Sequence, residues 1–215
     1  MSETILAMLS GGLDSTYMVH HLLTDPQYAE YDLHVHHINL GNIENRKLAE
    51  KIAVDNILSY FNTNNYKKFT YSESTIEFEA YNNGFMWDIE PTSFMSGYIA
   101  SRDPSITKVA IGATSGELKN RDLVSNRETA DKIFAAYSIN ADKIYPVSYL
   151  TKQQIYNIIP IELRNLTWSC RIPKYVSNIP KKCGECKPCT ELELFEIAMK
   201  VKLKETNHVR LYCNK

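Results

Sequence analysis

Thr4-Ile5-Leu6-Ala7-Met8-Leu9-Ser10-Gly11-Gly12-Leu13-Asp14-Ser15 joins a short apolar run to a glycine pair set between hydroxyls and one carboxylate. A short apolar run that ends in a glycine pair reads as a strand leading into a turn. The stretch from Ser15 to Leu23 then reads as a helix that stops near Asp25-Pro26. A strand, tight loop and helix in that order aim the free amides of the helix N-terminus at the loop, where an anion can sit. Gly11 and Gly12 let the backbone turn sharply and approach a ligand with no Cβ in the way. Ser10 and Ser15 add hydroxyl donors for phosphate oxygens. Asp14 is out of place beside phosphate unless a cation or the hydroxyls of a nucleotide engage it, which points to magnesium. The loop lacks a Gly-Lys-Ser/Thr ending, so it is not an ordinary Walker A loop. Taken alone, the segment also fits a plain strand-to-helix turn.

Working outward, strand and helix patterns alternate. Tyr31 to Asn39 alternates like a second strand, and Arg46 to Phe61 reads as a long helix with apolar positions Leu48, Ile52, Ile57 and Leu58. Lys67 to Tyr71 is a weaker strand pattern, Phe94 to Ser101 a helix, Lys108 to Gly112 a buried strand, and Asn126 to Ala136 a helix. Repeated alternation of this kind predicts an α/β class fold with a doubly wound, mostly parallel sheet and helices on both faces.

Near the other end stand Cys170 and the run Cys183-Gly-Glu-Cys186-Lys-Pro-Cys189. Two-residue gaps allow tight turns that bring thiolates to one side of the chain, and four soft ligands suit tetrahedral zinc far better than magnesium or calcium. Lys181, Lys182 and Lys187 offset part of the charge of a zinc–tetrathiolate. An iron–sulfur cluster also takes four cysteines, but the spacing departs from the usual ferredoxin run. Disulfides are disfavoured because a fifth cysteine, Cys213, is left over and no signal-peptide pattern opens the sequence. The expected compartment is cytoplasmic.

Composition narrows the partners. At 24.7 kDa the chain can hold one substantial core and a small appendage. No stretch approaches the roughly 18 consecutive apolar residues of a membrane helix. The formal charge of −1 gives no reason to expect direct nucleic-acid binding.

Ser10-Gly-Gly-Leu-Asp-Ser15 resembles the pyrophosphate loop of the N-type, or PP-loop, ATP pyrophosphatases, which cleave ATP between its α- and β-phosphates to adenylate a substrate. Thr167-Trp-Ser-Cys170 with the terminal cysteine run resembles the corresponding segments of one branch, the 7-cyano-7-deazaguanine synthases. Tyr145 to Lys152 looks like that family's passage into a helix, and His37-Ile-Asn-Leu-Gly41 sits where the family ends its second strand. The resemblance spans roughly residues 4 to 198. It implies an adenine nucleotide alpha hydrolase-like fold, with ATP held by Ser10, Gly11, Gly12, Asp14 and Ser15 and zinc held by Cys170, Cys183, Cys186 and Cys189. It also implies conversion of 7-carboxy-7-deazaguanine, with ammonia and two ATP, to the amide and then the nitrile, for a deazapurine modification pathway of RNA or DNA. A homodimer is implied as well. Residues 1–163 are expected to form the ATP pyrophosphatase domain and 164–215 the zinc-binding module, with Pro160, Pro173 and Pro180 breaking regular structure around the boundary.

Two segments depart from that family. Thr114 to Asp122 replaces a serine-glycine-tyrosine-proline-aspartate-cysteine-arginine stretch after the fourth strand, and Leu40 to Arg46 replaces a tyrosine-glycine-glutamine-arginine-histidine turn. Both fall in expected substrate-facing loops, so a related adenylase that stops at the amide or activates another carboxylate stays open, as does a catalytically idle nucleotide-binding protein. Asp14, Lys152 and Arg121 are the candidate catalytic residues. Lys152 would reach phosphate if its helix begins at the cleft, and otherwise sits on a helix surface. Arg121 and Asp122 follow a strand end where ligands bind in such sheets, and otherwise lie in a solvated loop. Trp87 is read as a ligand-facing ring or as core packing. His36 and His37 are read as satisfied structural histidines.

Overall fold

The computed structural model describes residues 2–78, 88–119, 124–138 and 140–212, with backbone alone at 124–125 and 202–212. Strand β1 (Thr4–Met8) is followed by helix α1 (Leu13–Thr24), strand β2 (Asp32–Gly41) and helix α2 (Lys47–Thr63). Then come β3 (Thr70–Glu77), α3 (Ile89–Arg102), β4 (Ile106–Ala110), the short α4 (Ser115–Lys119), α5 (Val124–Tyr137) and β5 (Asp142–Ile144). The five strands form one sheet in the order β3-β2-β1-β4-β5, and every pairing is parallel. This is the expected doubly wound architecture, with the strand order reversing between β1 and β4.

The central strand explains the layering. Ile5, Ala7 and Leu9 pack into a core with Met18, Val54 and Phe61, on the side of α1 and α2. Leu6 and Met8 point the other way, to a second core with Ala100, Ile106 and Phe134 beneath α3 and α5. Successive strand residues face opposite ways, so burial on both sides requires an unbroken apolar run.

Three expectations are corrected. Leu48 and Ile52 are exposed at 45% and 40%. The buried face of α2 is instead carried by Ala49, Ala53, Val54, Ile57, Leu58 and Phe61, because small residues let the neighbouring loop come close. The third strand begins at Thr70 and runs on through Glu77, not over 67–71. It is an edge strand with mixed polarity, which hides it from a hydrophobicity reading. Helix α3 begins at Ile89, ahead of the expected Phe94.

After the sheet, α6 (Lys152–Ile158) and α7 (Ile161–Leu166) lead into a hairpin of β6 (Lys174–Val176) and β7 (Ile179–Lys181). Its two turn residues, Ser177 and Asn178, both have positive φ, the twist that a tight two-residue hairpin needs. The long α8 (Lys187–Tyr212) follows. Among the described residues no helix is long and apolar enough to cross a membrane.

Candidate functional site

The loop between β1 and α1 opens at the carboxyl end of β1, beside the point where the strand order reverses. Gly11 has φ +80, and a Cβ there would meet Val54 Cγ2 at 3.1 Å and the Glu50 carbonyl at 3.2 Å. Glycine is therefore required twice over, by conformation and by the closeness of α2. Gly12 is the N-cap of α1 and offers no side chain to the first turn, so the helix amides stay available to an anion. Ser10 Oγ and Ser15 Oγ lie 2.8 Å apart at the same point. Gly112, just beyond β4, passes directly over this helix start: a Cβ on it would lie 2.7 Å from Ser15 Cα. Sequence reading placed Gly112 only as a strand end, although it shapes the loop.

Asp14 and Lys152 face each other across this opening, with Lys152 Nζ 3.2 Å from Asp14 Oδ2 and 3.7 Å from Glu191. Lys152 is the first residue of α6, whose N-cap Thr151 forms a full capping box with Gln154. That cap fixes where the lysine enters the cleft. Burial raises the Asp14 carboxyl to about 6 despite the lysine, and Glu117 nearby pushes in the same direction. Lys152 itself is held above its usual range by its acidic neighbours, which outweigh burial. Asp14 Oδ1 is buried with no hydrogen-bond partner. An unpaired, desolvated carboxylate oxygen beside the free amides of a helix N-terminus fits a hard cation such as magnesium.

These groups line a cleft of about 410 Å³ that runs from the loop over the sheet face covered by α3. Its apolar walls include Met8, Ile38, Ile89 and Ile111. At the far side is a charge cluster that sequence reading missed. Arg46 donates to Glu44 at 2.6 Å and also contacts Glu50 and Asp88, while Arg171 grips the same Glu44 at 2.6 and 3.0 Å and lies 3.5 Å from Asp88. Arg46, Glu44 and Glu50 are almost fully buried. Burial lifts Glu50 to about 7 even with Arg46 against it. The four-residue spacing of Arg46 and Glu50 on a helix was a signal that could have been read. Asp88 and Arg171 lie too far apart in sequence to be linked to it by spacing.

The four cysteine sulfurs lie within 4.8 Å of one another, with Cys170 buried and Cys183, Cys186 and Cys189 half-buried. Sulfur separations include 3.6 Å between Cys170 and Cys183 and 4.0 Å between Cys183 and Cys189. Gly184, at φ +79, makes the turn that lets the amides of Glu185 and Cys186 point at Cys183 Sγ. Amide donors aimed at sulfur stabilise thiolates, so the cluster is able to hold a metal. It is tied to the loop: the Trp168 amide donates to the Gly11 carbonyl at 2.8 Å, and the Trp168 indole donates to the Cys170 carbonyl at 2.9 Å.

The candidate loop residues Ser10, Gly11, Gly12, Asp14 and Ser15 are thus together with Lys152, and the four cysteines form a separate cluster nearby. Arg121, Asp122, Trp87 and Cys213 lie outside the described residues. His37 is structural in part, its Nδ1 2.8 Å from the Leu9 carbonyl. Neither histidine is in the expected satisfied state, because Nε2 of each is buried without a partner; His36 also lines the cleft.

The fold is a doubly wound, parallel α/β sheet with a small cysteine-rich module at its C-terminal end. It is similar to the solved structure of the U34-tRNA thiolase NcsA from Methanococcus maripaludis with its 4Fe-4S cluster, with a TM-score of 0.51 and 16% identical residues. The match covers 94% of this chain and 66% of that one, so the present chain spans just under two thirds of the thiolase. No protein-family model matches the chain. Nor does any curated protein.

Proposed function

We propose that the chain is an ATP-dependent, carbon–nitrogen bond-forming ligase that adenylates 7-carboxy-7-deazaguanine and, with ammonia, carries it to 7-cyano-7-deazaguanine. The supporting observation is the hydrogen bond from Trp168 to Gly11, which joins the Thr167–Cys170 segment to the phosphate loop and makes the two family-like motifs parts of one site. A carboxylate oxygen is a poor leaving group. Attack of the acid on the α-phosphorus of ATP expels pyrophosphate and turns that oxygen into part of AMP, which ammonia then displaces to give the amide and a released proton. Adenylation of the amide oxygen by a second ATP, followed by loss of AMP and a proton, gives the nitrile.

The chain's own groups divide this work. The α1 amides with Ser10 and Ser15 hold the departing β,γ-pyrophosphate, and Lys152 supplies a fixed positive charge beside it. Magnesium, when bound at Asp14, would neutralise phosphate charge. The Arg46–Arg171 cluster at the far side of the cleft supplies cations and carboxylates for the acceptor. The cysteine cluster is proposed to hold zinc in a structural role. Sulfurs about 3.8 Å apart surround one tetrahedral ion with bonds of about 2.3 Å, whereas each thiolate of a four-iron cube stands outward of its own iron and needs wider spacing.

Incubation with the candidate acid, ATP, magnesium and ammonium, followed by nucleotide chromatography and mass spectrometry, tests the proposal. AMP with nitrile supports it in full, and amide alone supports the shorter reaction. ADP as the nucleotide product, or no consumption of this acid while another is adenylated, would overturn it.

A further inference from the structure

The cleft is lined by an imidazole with one ring nitrogen committed and the other, itself buried, without a partner. His36 is only 2% exposed, lines the cleft, and leaves Nε2 without a partner. Its Nδ1 lies 2.7 Å from Ser72 Oγ, and the same hydroxyl lies 2.6 Å from His34 Nε2. The parallel register explains this geometry, because His36 stands opposite Ser72 on β3 while His34 lies two residues back on the same face of β2.

One hydroxyl proton shared by two imidazoles couples their tautomers. Ser72 can donate to only one ring and must accept from the other. Burial lowers the basicity of both histidines, His36 to about 4, so each ring is neutral and carries a single N–H. If Ser72 donates to His36, Nε2 carries the proton and becomes a donor, and His34 donates to Ser72. If Ser72 donates to His34, the His36 proton sits on Nδ1 and Nε2 becomes an acceptor. Reversing the chain changes the polarity of the cleft lining without charging it.

We propose that His36 Nε2 reads the polar edge of a flat heterocyclic base, and that the His34–Ser72–His36 chain lets it donate or accept as that base requires. Met8 and Ile38 flank it on the sheet, which suits an apolar ring face with a neutral polar edge. A phosphate or carboxylate would be drawn to the cationic groups at the ends of the cleft, not to a neutral ring among apolar walls. The inference rests on the ATP- and deazapurine-binding reading above, and either the adenine of ATP or the ring of the acceptor acid supplies such an edge.

The test is nitrogen NMR of the full-length, metal-loaded protein labelled with ¹⁵N-histidine, titrated separately with magnesium–ATP and with 7-carboxy-7-deazaguanine. Calorimetry on the same samples reports binding. The His36 and His34 signals are assigned with His36→Leu and His34→Gln. One ligand should move the His36 ring nitrogens between tautomer-specific shifts, with His34 moving in step, and the ligand that does so identifies the base. In Ser72→Ala the His36 response should persist while the His34 response disappears. His36→Leu should weaken the responding ligand about five-fold, the worth of one neutral hydrogen bond, and leave the other unchanged. Binding of both ligands with no change at His36 would overturn the inference while leaving the functional reading intact. A His36 response with His34 still in the wild type would overturn the coupling. Absence of binding by either ligand would remove the functional reading, and this inference with it.

Discussion

Replacing Asp14 with asparagine should make the nucleotide-free protein more stable at pH 8 while removing the magnesium-dependent turnover proposed for it. The side chain is 14% exposed, and its carboxyl is raised from 3.8 to about 6, mainly by burial. At ~1.36 kcal/mol per unit, holding it ionised at neutral pH costs the folded state at most about 3 kcal/mol. Cleft water reduces that figure, which already includes the ion pair with Lys152; in the variant the lysine's charge leans on Glu191 at 3.7 Å. A net gain of about 1 kcal/mol is expected. The sign follows from the raised carboxyl: its proton-bound form favours the folded state, and that contribution is complete below 3.8 and lost as pH rises through about 6. The advantage of the variant should therefore be small near pH 4, grow across that window, and level off above it. Glu50, lifted to about 7, titrates in an overlapping range but equally in both proteins. Urea denaturation at several pH values measures the difference. Steady-state pyrophosphate release should fall by about a hundredfold or more. A variant less stable than wild type at pH 8, or a stability difference independent of pH, would refute the account of Asp14 as a desolvated carboxylate awaiting a cation.

Gly112→Ala should cost about 1–3 kcal/mol and weaken ATP binding, because its Cβ would lie 2.7 Å from Ser15 Cα and must displace the start of α1; thermal melts and nucleotide titrations check both. Cys170→Ser should reduce bound metal well below one ion per chain, measured by elemental analysis of protein purified without added zinc, and should loosen the segment from 170 to 189 in hydrogen exchange. Arg171→Ala should destabilise by about 2 kcal/mol through the loss of its paired contacts with buried Glu44. Lys51→Ala, which breaks the more exposed pairs with Asp55 and Glu73, should stay within about 0.5 kcal/mol in the same denaturation assay.

What could be read in the sequence was local. The β1 run, the glycine turn and α1 lie within about two dozen residues, and their pattern is set by burial on both faces and by a turn that only glycine tolerates. The cysteine cluster was legible for the same reason, since two-residue gaps already enforce convergence. The buried face of α2 was not, because Ala53 and Val54 are placed there by the approach of Gly11, and an apolar count favours Leu48 and Ile52 instead. Strand β5 is three residues long and carries too little pattern to be seen. The Arg46–Asp88–Arg171 cluster, and the partnership of His36 with Ser72 and His34, exist only because the parallel sheet and the C-terminal segment bring distant residues together.

The bond from Trp168 to Gly11 also sets an order of events in time. Synthesis runs from the N-terminus, so the phosphate loop leaves the ribosome long before residue 168 exists. Until then the Gly11 carbonyl faces water and nothing spans the loop from the C-terminal side. A loop made early is therefore completed by a segment made much later, once α6, α7 and the stretch leading to the cysteines have been delivered. A nascent chain, or one cut short before Trp168, would carry the whole turn between β1 and α1 and still lack its closure.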